Sequence, residues 1–400
     1  MLFACATDNG DSVHGPQFGP VPERPDGSQA DGPLAEEGGP ASDAEAGADA
    51  SDPDGSLPAC TAGTVAVVAG NDTSLSGAVQ VNGGPWAGAS IAGGAAKSAP
   101  SLVAFGSGFT GLTRGANDAL QAVTYGTSFS GATAIGSLIT LGTPALAVVG
   151  TKAQAVFLSG PETGTADAHK FFRIENSGTT WSAADPVSAG TPSFGPSAPA
   201  AAAAGTTLVM AQDGDNAKLY TQAWNGTWAT AVQIADPVLT LVGAPPALVA
   251  VTGKLDLVLL YADMTAPHTI GFATRDAGTS VWSAGAVTQS TAQTAEQMSV
   301  ARLSATTLLV SFRGNNGRPY TMLGTLGATS ITWGLPAPLL ADTSTVDSAP
   351  AVAPGVCGDD AIAVFAAGGI VKATQLRGNS WSVPGTVTGA SGSRVSVATR

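Results

Sequence analysis

The feature that most constrains this 400-residue chain is a periodic aromatic residue. Trp181, Trp228, Trp282, Trp333 and Trp381 follow one another at intervals of 47, 54, 51 and 48 residues. Trp86 stands 95 residues before Trp181, close to two such intervals, and Phe129 falls near the middle of that gap. Small residues follow each aromatic, in WAGA, FSGA, WSAA, WATA, WSAG, WGLP and WSVP. A period of this length marks a repeat architecture, in which each copy is one supersecondary unit that buries its apolar face only against its neighbours. There are seven copies.

A second marker precedes most of the aromatics: SAPSLVA at 98, TPALAVV at 143, SAPAAAA at 197, APPALVA at 244, EQMSVAR at 296 and SAPAVAP at 348. Between the markers lie short apolar or alternating runs such as TLVMAQ, DLVLLYA, TLLVSF and AIAVFAA, separated by Gly, Asn and Asp turns. These runs read as strands, and no segment carries a sustained helical period. About four strands per copy is the content of a β-propeller blade. The expected fold is therefore all-β, a seven-bladed β-propeller over residues 60–400. The first copy, beginning at TVAVVA (64), lacks its SAP strand, and the final SRVSVATR (393–400) has no blade of its own. The C-terminal strand is thus expected to complete blade 1 and remove an exposed edge.

Charge separates the N-terminal segment from the repeats. Residues 1–60 hold 12 acidic residues and one base, Arg24, whereas residues 61–400 hold 17 acids and 15 bases. Residues 6–59 are rich in Gly, Pro, Asp, Ala and Ser, which cannot bury enough surface to offset ordering entropy. Residues 1–59 are expected to be a disordered acidic tether, extended by its like charges. The nearly neutral repeat region lacks the basic surface that a nucleic-acid partner requires. No run of about 20 apolar residues offers a membrane span.

Three cysteines are present, Cys5, Cys60 and Cys357. LFAC (2–5) resembles a bacterial lipobox, with Leu three residues before a Cys and a small residue just before it. The resemblance implies lipidation at Cys5 and an extracytoplasmic protein held at a bacterial, outer-membrane surface through that anchor. No positively charged segment or full apolar core precedes the motif. In an oxidising compartment Cys60 and Cys357 could pair. They lie 26 residues before Trp86 and 24 before Trp381, equivalent points of the adjoining blades 1 and 7, so a bond there would staple the ring closure. The alternative is two buried thiols.

RGANDAL (114–120), AHKFF (168–172), AWNGTW (223–228) and GNSWS (378–382) resemble the repeat of bacterial seven-bladed propeller lectins of the fucose-binding type. The resemblance covers residues 61–400 and implies non-catalytic glycan binding; no single blade keeps every motif. ENSGTTW (175–181) and RDAGTSVW (275–282) are similar, more weakly, to the Asp-box turn of sialidases and other propellers.

Candidate chemistry is sparse. The arginines and the four tyrosines, Tyr125, Tyr220, Tyr261 and Tyr320, show no sialidase-like arrangement, and no Ser/His/Asp order or phosphate loop is present. DGDN (213–216) has Trp224 where a calcium loop needs Glu, so a hairpin turn is expected there. The sequence implies no metal site and no cofactor. Sugar binding needs only an aromatic face and a few fixed polar groups. The periodic tryptophans serve either interblade packing or stacking, and packing is the favoured reading for Trp86, Trp181, Trp282, Trp333 and Trp381. Trp224 is an extra aromatic, and with Tyr220 and Trp228 it forms the leading candidate platform. His169, Phe171 and Arg173 form the second candidate. The expected function is cell-surface binding of a glycan. The alternatives are a propeller that docks a surface protein, or a sialidase-like hydrolase.

Overall fold

A computed structural model describes residues 63–159, 170–178, 180–187, 194–235, 239–283 and 285–400. The expected tether, Cys5, Cys60 and His169 lie outside these residues.

Among the described residues thirty strands form seven antiparallel sheets, one per repeat. Blade 3, for example, runs outward from Ala145–Val149 through Lys152–Ser159 and Lys170–Asn176 to Asp185–Pro186. Blade 4 follows with Ala200–Ala204, Thr207–Asp213, Leu219–Trp224 and Val232–Gln233. Position in the blade explains composition. The innermost strands converge on the axis, so small residues fill them; Ala200–Ala204 is five alanines despite the weak strand preference of Ala. Second strands lie between two neighbouring blades and are buried on both faces. Ala361–Ala367 and Leu255–Ala262 therefore read as nearly continuous apolar runs rather than alternating ones. Starts of the innermost strands surround a central cavity of about 440 Å³. Across it Thr143 Oγ1 of blade 3 donates to Gln297 Oε1 of blade 6 at 3.2 Å.

The periodic aromatics pack between blades. Trp282 and Trp333 are buried, and Phe272 of blade 5 meets Trp333 of blade 6 edge-on at 5.6 Å. Gly77 of blade 1 carries the Phe129 ring of blade 2 so closely that a Cβ there would sit 2.5 Å from it.

Blade 1 is completed from the other end of the chain. Arg394–Thr399 pairs antiparallel with Thr64–Gly70, in register from Val65↔Thr399 to Gly70↔Arg394. Thr64 and Arg400 exchange both backbone hydrogen bonds at 2.9 Å. Ser76 Oγ of blade 1 donates to Ser391 O of blade 7 and accepts from Ser391 N, at 2.9 and 2.8 Å. Gly63 lies against the Val356–Cys357 turn of blade 7, where an added Cβ would stand 2.7 Å from Val356 Cβ and 3.3 Å from Cys357 Sγ.

Removing residues 393–400 exposes the edge of Thr64–Gly70 and the core sites of Val395 and Val397. At roughly 1.5–3 kcal/mol per buried Val, the loss is about 3–6 kcal/mol. The expected result is a lowered thermal midpoint that a synthetic SRVSVATR peptide partly restores in trans. An unchanged midpoint after truncation would contradict closure by this strand.

Candidate functional site

The third strand of blade 3 (Lys170–Asn176) sends alternate side chains into two different clefts. Phe172 and Ile174 pack towards blade 2 with Leu112 and Leu120. Phe171 packs towards blade 4 with Met210, Leu208 and Trp228. Arg173 and Glu175 share the Phe171 face and so enter the cleft with blade 4. From the other wall, Leu219–Trp224 presents Trp224 to the same cluster. Trp224 pairs across its turn with Trp228, their rings 5.4 Å apart and tilted by 56°. The Arg173 guanidinium lies over the Trp224 ring, Cζ 4.0 Å from its centroid, which is cation–π distance.

Hydrogen bonds fix the charged groups. Arg173 Nη1 donates to Glu175 Oε2 at 2.9 Å and to Gln154 Oε1 at 3.1 Å. Lys152 Nζ donates to Glu175 Oε1 at 2.6 Å. Asp185 Oδ2 lies 3.6 Å from Arg173 Nε, close enough for an ion pair. The bond from Lys152, and next that from Arg173, hold the Glu175 carboxyl below its ordinary value of 4.5. An ionised Glu175 accepts hydrogen bonds from ligand hydroxyls and is poorly suited to donate a proton. Arg173 Nε and Trp228 Nε1 are buried and have no hydrogen-bond partner among the described residues.

Arg173, Trp224 and Trp228 thus come from the two separate candidate groups and meet in one cleft. Phe171, 0% exposed, supports it from beneath through an edge contact with Phe194 at 4.8 Å. Tyr220 stands apart from the aromatic pair. Four residues before Trp224 along the strand, it lies about 13 Å away. Its hydroxyl accepts from Asn216 Nδ2 at 2.9 Å and donates to Gln233 Oε1 at 3.4 Å. Blade 6 repeats this turn lock, with Asn316 Nδ2 donating to the Tyr320 hydroxyl at 2.9 Å. Glu175, Gln154, Lys152 and Asp185 were not singled out by sequence. The two-residue period of a strand puts Glu175 beside Arg173, whereas Gln154 and Lys152 require the hairpin register that pairs Glu175 with Gln154.

Ladder partners of the blade aromatics align the seven clefts. Asn176, Trp224, Arg275, Gly324 and Leu376 pair with Trp181, Trp228, Trp282, Trp333 and Trp381, and Tyr125 with Phe129. Counting back three residues from each, Arg173 corresponds to Ala122, Thr221, Phe272, Thr321 and Ala373. Counting back one, Glu175 corresponds to Thr124, Ala223, Thr274, Leu323 and Gln375. In blade 1 the matching contact with the next blade's aromatic is made by Gly77. The cleft between blades 3 and 4 alone carries a cation and a carboxylate at these positions. Five other arginines are paired with carboxylates in their own neighbourhoods: Arg114 with Asp118, Arg275 with Asp256, Arg313 with Glu296, Arg377 with Asp359 and Arg394 with Asp72. Asp213 of the DGDN turn points inward and accepts from Ser197 Oγ at 2.7 Å. Among the described residues no group of three or more His, Cys, Asp or Glu is placed to hold a metal ion.

Solved structures of similar fold include lectins. A lectin from Burkholderia pseudomallei, BP39L, superposes with a TM-score of 0.65 at 16% identity, covering 83% of this chain and 98% of its own. The Aleuria aurantia lectin, a six-bladed β-propeller described as having a novel fucose recognition mode, gives 0.51 at 15% identity, covering 73% and 96%. AofleA from Arthrobotrys oligospora gives 0.51 at 11% identity, covering 75% and 88%. These likenesses show a β-propeller fold. No protein-family model and no curated protein sequence matches the chain.

A carboxylate whose value is depressed in the fold stabilises above its unfolded value and loses that contribution as pH falls through the folded one. The Glu175 pairs should therefore contribute fully above about pH 4.5 and fade in stronger acid. Glu175→Gln is expected to lower stability by roughly 1 kcal/mol at neutral pH, the part-exposed Lys152 limiting the effect. The gap should narrow as both proteins are taken into acid below about pH 4.5. A gap independent of pH in thermal unfolding would contradict an ionised, paired Glu175.

Proposed function

We propose that this protein is a non-catalytic carbohydrate-binding propeller whose glycan site is the cleft between blades 3 and 4. The observation that carries this reading is the convergence of Arg173, Glu175 and Trp224 in one cleft of the seven. A pyranose presents an apolar C–H face and a rim of hydroxyls. An indole ring matches the first, and a carboxylate with neighbouring cations matches the second. Arg173 and Trp224 are positioned by each other and by Glu175 and Gln154, so the site is organised before a ligand arrives. Lectins among the structures of similar fold favour a glycan over other polar ligands.

We extend the proposal to the chain's surroundings. The lipobox-like LFAC supports lipidation of Cys5, with residues 1–59 as an acidic tether holding the propeller outside a bacterial outer membrane. The Cys357 sulfur lies beside Gly63, where an added Cβ would stand 3.3 Å from it, and this nearness to the chain just after Cys60 supports a Cys60–Cys357 disulfide at the ring closure.

A glycan array with the intact protein tests the reading. Binding is expected, and Trp224→Ala or Arg173→Ala should each weaken it at least tenfold, about 1.4 kcal/mol, with the circular dichroism spectrum unchanged. Tyr220→Phe should bind as the parent does. A blank array with folded protein, or variants that bind normally, overturns the site. Turnover of a fluorogenic sialoside would overturn the non-catalytic reading. Mass spectrometry of the protein from membranes should find a diacylglyceryl modification on Cys5.

A further inference from the structure

The seam between blades 7 and 1 carries a cleft that the chain itself is placed to cover. Val79 pairs with Ala87, which sets Gln80 opposite Trp86 on the ladder. These two stand where blade 4 has Trp224 and Trp228, and Ala373 and Gln375 of blade 7 stand where blade 3 has Arg173 and Glu175. At these positions the seam cleft has no charge and no second indole. Gln80 Nε2 turns to its own hairpin, donating to Gly84 O at 2.9 Å. Trp86 of blade 1 and Val356 of blade 7 pack on the seam cluster and stay partly exposed, whereas Trp282 and Trp333 are buried.

Two features point to what covers it. The chain enters the propeller at this seam. Gly63 O accepts from Asn82 N of blade 1 at 2.7 Å, and an added Cβ on Gly63 would meet Val356 and Cys357 of blade 7. Gly63 is thus clamped between the two walls of the cleft, and the residues before it start from the seam. The Cys357 turn is also preset. Cys357 and Gly358 take φ of 61° and 83°, a conformation that L side chains rarely adopt. Around them Gly355 N donates to Asp360 O at 2.9 Å, Gly378 N donates to Asp360 Oδ2 at 2.6 Å, and Arg377 pairs with Asp359. The charges of the turn are answered within blade 7, and its sulfur is held beside the entering chain.

We propose that the chain's own residues 56–62, SLPACTA, dock over the cleft between blades 7 and 1, with Leu57 seated on Trp86 and Cys60 held at Cys357. The position of Cys60 rests on the disulfide proposed above; the Leu57 contact is separate from it. Composition fits this occupant. The chain is uncharged from Gly55 to Gly63, and Leu57 is its one large aliphatic residue there. Acidic residues resume only at Asp54 and Asp52. Length fits as well: Cys60 precedes Gly63 by three residues and Leu57 precedes Cys60 by three. Each of those steps spans at most about 11 Å, so Leu57 stays within reach of the seam. Seating Leu57 on the indole removes apolar surface of both from water. The seam cleft is thereby closed to outside ligands by the protein itself.

The experiment is hydroxyl-radical footprinting of the intact protein, with oxidation of Trp86 read by mass spectrometry against Trp181 in the same sample. Trp86 is expected to be protected in the parent. Leu57→Asp should raise its oxidation severalfold and leave Trp181 unchanged, whereas Leu57→Ile should keep the protection. Equal Trp86 oxidation in the parent and in Leu57→Asp overturns the docking. Peptide mapping without reductant reports the bond separately. A Cys60–Cys357 peptide together with a Trp86 indifferent to Leu57→Asp keeps the disulfide and removes the docked segment. Protection that responds to Leu57→Asp in the absence of that peptide keeps the docking and removes the disulfide. Glycan binding should be the same in the parent and in Leu57→Asp, so failure of the site at Trp224 leaves the footprint of Trp86 untouched.

Discussion

Every other feature of this propeller depends on antiparallel pairing between Thr64–Gly70 and Arg394–Thr399. A blade is apolar on both faces and is stable only between two neighbours. Six packed interfaces would leave one face of blade 1 and one of blade 7 in water, along with the unpaired edge of Thr64–Gly70. The borrowed strand answers both needs. It brings Val395 and Val397 into the cluster that joins Val65 and Val67 of blade 1 to Ile362 and Val364 of blade 7. It also makes closure the contact of greatest sequence separation, formed only when the rest of the ring is in place. The glycines at this seam follow from the same demand: Gly88 and Gly389 pass so closely that a Cβ on Gly88 would lie 2.4 Å from the Thr388 carbonyl oxygen.

A closed ring yields seven equivalent clefts, and their contents decide between packing and binding. Where Phe272 meets Trp333, or Phe129 lies on Gly77, ring and backbone fill the space. Between blades 3 and 4, Arg173 and Glu175 stand where other blades place small, hydroxyl, amide or apolar side chains. Burying an arginine is unfavourable unless it is paired. Here Glu175, Gln154, Asp185 and the Trp224 face share that task. The apolar contact that the polar groups displace is retained beneath them by Phe171, Phe194 and Met210. Polarity is thereby confined to one end of the cleft, and the blade interface beneath it remains an ordinary core.

The fold was legible in the sequence because its determinants are periodic. Trp spacing counted the blades, and the absence of an SAP strand in the first copy pointed to closure by the last eight residues. The polar turns were legible as hairpins but not in detail. In RGANDAL, Asn117 and Asp118 both take positive φ, and Asp118 binds Lys97 and Arg114. In blades 4 and 6 the turn is locked by Asn–Tyr bonds, which is why Tyr220 looked like a platform residue and serves as a brace. The site was half legible. Arg173 and Trp224 stood out by residue type, but their meeting required knowing which face of each strand looks at which neighbour. Lys152 and Gln154 belong to the site only through a hairpin register that the intervening segment conceals.

That dependence on register has a physical consequence at the end of one strand. Glu175 and Asn176 are adjacent in sequence, yet the pleat turns the first into the cleft with blade 4 and the second into the cleft with blade 2. The chemistry of both clefts is therefore tied to a single alignment of Lys170–Asn176 against Lys152–Ser159. A slip of one residue would exchange carboxylate and amide between clefts and withdraw Phe171 and Ile174 from their cores. The core residues on this strand thus hold the polar residues at its tip in place. Packing strength, which the clefts give up where they hold polar groups, is what keeps the polar residues of the two clefts apart.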